Sequence, residues 1–130
     1  MKTRLTILLL ILITFLKAQD RFDLMEEKLN QLAKNYPGLE EKVELSVTSV
    51  SIQEFIRAIG TSNNLNVTVE PNLDIKITNN FKNITAKDVF VFLCKKFELE
   101  IAFIGPVMSF SKYLAPVKLS VRKNINVTYE

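Results

Sequence analysis

The chain has 130 residues, 48% of them hydrophobic and 24% charged, with 3 Gly and 4 Pro, a composition that excludes collagen-like and disordered character and fits one globular domain. Its 17 basic residues exceed its 14 acidic ones by three, but Lys2, Arg4 and Lys17 all fall in the first 18 positions, so the remainder balances at 14 against 14 and offers no basic face for nucleic acid. The lack of His removes the commonest zinc ligand and acid–base catalyst, and a single Cys excludes an internal disulfide or a Cys-rich metal cluster, which favours a binding or structural module.

Lys2 and Arg4 precede an apolar run from Leu5 to Leu16, relieved only by Thr6 and Thr14, and Leu16-Lys17-Ala18 puts a small residue at a cleavage point. This layout predicts a secretory signal peptide over residues 1–18. The run is shorter than the about 20 apolar residues that cross a bilayer, and polar Gln19-Asp20-Arg21 follows at once. Cleavage after Ala18 would leave 112 residues, enough to bury a real core. In an exported chain Cys94 meets oxidants without a partner, and its apolar surroundings read as those of a buried small hydrophobe on a helix rather than a reactive thiol. The sequons at Asn66, Asn83 and Asn126 read as chance, two of them falling in expected strands.

Phe22, Met25, Leu29, Leu32 and Tyr36 recur at three- and four-residue steps, predicting an amphipathic helix within 19–38 that Pro37-Gly38 would end with a left-handed glycine. It would pack on the domain or on a partner. Val43, Leu45 and Val47 then alternate with Glu44, Ser46 and Thr48, a half-buried strand. Ser51-Ile52-Gln53-Glu54 has capping-box spacing, and Ile52, Phe55, Ile56 and Ile59 form one helix face. Thr61-Ser62-Asn63-Asn64 stops that helix, and Leu65 to Val69 returns to strand alternation.

The pattern recurs 34 positions on: Val50 to Phe55 aligns with Ile84 to Val89, and Ile56, Ile59, Leu65, Val67 and Val69 align with Phe90, Leu93, Leu99, Ile101 and Phe103. A stacked two-helix repeat has the same period, but half of each unit here is β-branched strand, so the expected unit is βαβ, over 43–70 and 74–104. Gly105-Pro106 predicts a turn into a further strand over 107–113, a hairpin partner. The expected fold is a small α+β, two-layer sheet/helix domain of duplicated βαβ units. The tail 114–130 alternates again and reads as a linker or the start of a further module.

No catalytic constellation, cofactor site or metal site is legible. Glu26-Glu27 and Glu40-Glu41 read as solvated pairs, the glycines are too far apart for a phosphate loop, and Lys95-Lys96 reads as a solvated helix edge. A strand edge remains available to a partner chain, with polar Glu44, Ser46 and Thr48 as the candidate partner-binding residues.

Val43 to Tyr113, 71 of the 130 residues, resembles the secretin and TonB short N-terminal domain. The likeness rests on Val50-Ser51-Ile52 leading into Phe55-Ile56-Arg57-Ala58-Ile59, then on Leu65-Asn66-Val67-Thr68-Val69-Glu70-Pro71, on Asn83-Ile84-Thr85-Ala86-Lys87-Asp88-Val89, and on the Leu99 to Tyr113 ending. The resemblance implies an exported module of two βαβ units that works without cofactor or small-molecule substrate by docking to other proteins. In a secretin it would be a periplasmic ring module of an outer-membrane channel, homo-oligomeric in the full-length protein and bound to inner-membrane secretion components, partly through its first strand. The alternatives are the signalling domain of a TonB-dependent transducer and a stand-alone periplasmic adaptor. The strand-like tail from Lys118 to Glu130 favours the secretin form.

Overall fold

A computed structural model describes residues 2–116, except for the side chains of 13–19; the tail from Val117 onward, expected to be a linker or the start of a module, lies outside the described residues. The elements in chain order are α1 (Lys2–Ala33), a 3-10 turn (Pro37–Glu40), β1 (Lys42–Ser51), α2 (Ile52–Ser62), β2 (Asn66–Val69), β3 (Lys76–Thr85), α3 (Ala86–Phe97), β4 (Leu99–Ile104) and β5 (Val107–Lys112). The protein is a small α+β domain of two βαβ units, β1-α2-β2 and β3-α3-β4, with β5 appended.

The strands divide into two sheets. β1 pairs antiparallel with β3, and β5 lies between β2, to which it is parallel, and β4, to which it is antiparallel. Each unit thus sends its first strand to one sheet and its second to the other, and α2 and α3 touch both sheets. The inward side chains form one core, with Ile52, Phe55, Ile56 and Ile59 from α2, Val89, Phe90 and Leu93 from α3, and Ile77, Leu99, Met108 and Phe110 from the strands. Phe90 meets Phe110 edge-on at 5.0 Å, and Phe55 meets Phe81 at 5.5 Å. Fully burying each such side chain stabilises the fold by about 1.5–3 kcal/mol.

The 34-residue offset governs the backbone as well as the sequence. Shifting by it exchanges the pair Val43↔Ile84 with Val50↔Ile77 and the pair Leu45↔Phe81 with Val47↔Asn79, while Ser46↔Asn80 maps onto itself. A pseudo-twofold axis therefore crosses the ladder between Ser46 and Asn80. Among the described residues four non-glycine residues have positive φ, and they are two repeat pairs: Ser49 (53°) with Asn83 (57°), each in a bulge, and Asn64 (55°) with Glu98 (52°), just beyond the helix ends. Each helix also starts the same way, its first amide donating to the residue before the opposite strand: Ile52 N to Ile75 O at 2.9 Å, and Ala86 N to Glu41 O at 3.0 Å. Ile104 and Val107 close the β4–β5 hairpin around Gly105-Pro106, where Gly105 supplies the positive φ, 57°, that a tight two-residue turn needs at its first position.

Two local expectations change. α1 stops at Ala33 and Pro37 opens the 3-10 turn instead, while Gly38 is not left-handed. Gly38 is required for close approach, since a Cβ there would overlap the carbonyl oxygen of Asn63, whose buried Nδ2 donates to Gly38 O at 3.0 Å. Ser51 makes no side-chain cap, whereas Thr85 Oγ1 accepts from Asp88 N at 3.3 Å. Lys95 and Lys96 lie on an exposed helix edge, as expected, from which Lys95 pairs with Glu26 on α1 at 3.4 Å and Lys96 donates to Asn79 Oδ1 on β3 at 3.3 Å.

The second half of α1 packs on the domain, burying Met25, Leu29 and Ala33 with Phe22, Leu32 and Tyr36 beside them. Arg21 adds a hydrogen bond to Leu99 O at 3.2 Å and lies 3.7 Å over the Tyr113 ring. Leu5 to Leu12, by contrast, are exposed, Leu5 by 72%. The helix continues through Ala18, and no helix among the described residues is long and apolar enough to cross a membrane.

Candidate functional site

Glu44, Ser46 and Thr48 all lie exposed on β1, on the sheet face opposite the partly buried Leu45 and Val47. Strand alternation puts them there: the apolar set must face the helices, so the polar set faces water. Among the described residues β1 has a paired neighbour on one side only, so its other edge presents backbone N–H and C=O groups along a ten-residue strand. The three residues are nevertheless not equivalent. Ser46 sits at the pseudo-twofold axis opposite Asn80, Thr48 adjoins the Ser49 bulge, whose amide donates to Thr78 Oγ1 at 2.8 Å, and Glu44 lines a groove.

That groove, of about 320 Å³, runs between the start of β1 and the last turns of α2 and is lined by Glu41, Lys42, Val43, Glu44 and Leu45 with Ala58, Ile59, Ser62 and Asn63. Sequence reading missed the helical wall. Its signal was present in the repeat, because the positions 34 residues beyond Ala58, Ser62 and Asn63 hold the bulkier Phe92, Lys96 and Phe97. In the second unit Phe92 and Lys96 reach from helix to strand. Phe92 meets Phe81 edge-on at 5.4 Å, and Lys96 reaches across to Asn79 while lying 5.5 Å over the Phe92 ring.

Glu41 and Glu44 have no ion-pair partner among the described residues, whereas Glu40, one residue away, is taken by Lys87. Among the described residues no three His, Cys, Asp or Glu side chains converge to hold a metal ion. Cys94 is fully buried, and desolvation pushes its thiol up to about 12, outweighing the opposing pull of Arg21. A thiol so protonated is a packing group at neutral pH. The sequence matches no protein-family model and no curated protein.

Proposed function

We propose that this chain is an exported protein–protein docking module of the secretin and TonB short N-terminal kind, which holds a partner by adding one of that partner's strands to the free edge of β1. The observation that carries this reading is the one-sided pairing of β1 among the described residues, and its exposed side chains Glu44, Ser46 and Thr48 would set selectivity beside main-chain bonds. β3 is also paired on one side only among the described residues, but it carries exposed Lys76 and Lys82 and its Asn79 is tied to Lys96, devices that discourage edge pairing. Export is supported by the leader pattern and by the exposure of Leu5 to Leu12, whose removal would leave the contacts of Met25, Leu29 and Ala33 in place. Within this class the secretin form, a periplasmic ring module docked to an inner-membrane secretion component, is favoured by the alternating tail.

A photoreactive residue at Ser46, introduced in the native host, tests the reading. It should crosslink to an inner-membrane protein with a periplasmic domain, and mass spectrometry should find Gln19 as the mature amino terminus. A chain that keeps Met1 in the cytosol would overturn export, and crosslinks confined to a probe at Thr78 on β3 would overturn the assignment of the edge.

A further inference from the structure

The two units share a backbone, yet the helix–strand groove is filled by aromatic and lysine side chains in the second and left open in the first. Both walls differ between the units: Ala58 and Ser62 stand against Phe92 and Lys96 on the helix, Leu45 stands against Asn79 on the strand, and the charge changes with them. The first-unit groove has two carboxylates, Glu41 and Glu44, against one cation, Lys42, and the repeat mates of those carboxylates are Ile75 and Thr78. An open trough beside a free strand edge, with excess negative charge at its rim, fits an extended chain bearing positive charge.

We infer that this groove seats an extended segment of a partner protein that brings basic side chains to Glu41 and Glu44, and that Ala58 and Ser62 are the residues that keep the groove open. The inference rests on the strand-addition reading above and adds to it the helical wall and the chemistry of the occupant. The incoming backbone would lie along Val43 and Leu45, its inward side chains would meet Ala58 and Ile59, and its outward ones would reach Glu44. Because the rim charges are exposed, the attraction would weaken with salt on the scale of the Debye length, about 10 Å at 0.1 M.

The test uses the isotope-labelled full chain and three synthetic octapeptides that alternate valine with lysine, glutamate or serine. The lysine peptide should shift amide signals in 41–45 and 58–63 and bind at least about tenfold more tightly than the glutamate peptide, a difference of about 1.4 kcal/mol. Ala58→Phe, which installs the side chain the repeat mate already accommodates, should lower that affinity by about tenfold or more without moving the unfolding midpoint. Glu44→Lys should reverse the charge preference and, lying on the surface, keeps the test decisive if Ala58→Phe perturbs folding. Shifts along β1 with affinity indifferent to both substitutions would overturn the groove while leaving strand addition standing. Binding centred on β3, or none by any of the peptides, would overturn the inference outright, and only the additional loss of Ser46 crosslinks would remove the underlying reading.

Discussion

The first and second βαβ units make the same ladder, the same left-handed bulge and the same left-handed residue after the helix, yet differ in what their helices carry toward the strand. Backbone features recur because each is held by a partner in the other unit: a shifted register or a lost bulge in one strand would unpair the opposite one. Side chains at the outer helix wall answer to no such partner, so Ala58 and Ser62 have been free to part from Phe92 and Lys96. Symmetric pairing fixes the frame, and divergence within it falls on side chains that no repeat mate holds in place.

The comparison can be broken most forcefully in the core. Phe90 and Ile56 are repeat mates with no exposure, and truncating either to alanine should destabilise the fold by about 3–5 and about 2–5 kcal/mol respectively. Urea denaturation should show a single transition in both variants; two transitions would mean that the units do not share one core. Next in size, Gly38→Ala should lose about 1–3 kcal/mol, because its methyl group meets the Asn63 backbone rather than a yielding side chain. Asn63 has Phe97 as its mate, so this attachment of the 3-10 turn belongs to the first unit alone. The caps sharpen the contrast further: Thr85→Ala should lose about 1 kcal/mol and Ser51→Ala less than about 0.5, read from the same denaturation curves.

The smallest neutral-pH effect concerns Cys94. Its folded thiol ionises near 12 against 9.0 for the free group, so its contribution to stability is complete below pH 9 and falls as pH rises from there toward 12. A disulfide reagent at pH 8 should leave native Cys94 unmodified and label it on unfolding, and rapid labelling of the folded chain would contradict the burial.

Much of this was legible beforehand, and the exceptions have particular causes. Helix faces, strand alternation and the 34-residue offset follow from periodicity, which reports which side of an element is wet. Periodicity says nothing of which strand lies alongside, so the split into two sheets and the placement of β5 between β2 and β4 were not readable. Left-handed Ser49 and Glu98 carry no compositional signal, unlike a glycine. The cap expected at Ser51 is absent, and Ile75 O satisfies the first helical amide there. Of the candidate site, the strand residues were visible as an exposed polar set, while the helical wall required comparing side-chain size across the duplication.

β5 has a consequence for how such a domain can arise. Every other strand has a mate under the pseudo-twofold axis, whereas β5 runs between the symmetry-related β2 and β4 and is parallel to one and antiparallel to the other. Two separate copies of a single unit, assembled as an isologous dimer, would reproduce the β1–β3 ribbon but leave their second strands roughly 10 Å apart, two strand spacings, with nothing to bond between them. One odd strand closes that gap for both halves, which makes the fused chain a closed structure that neither half could complete by self-association.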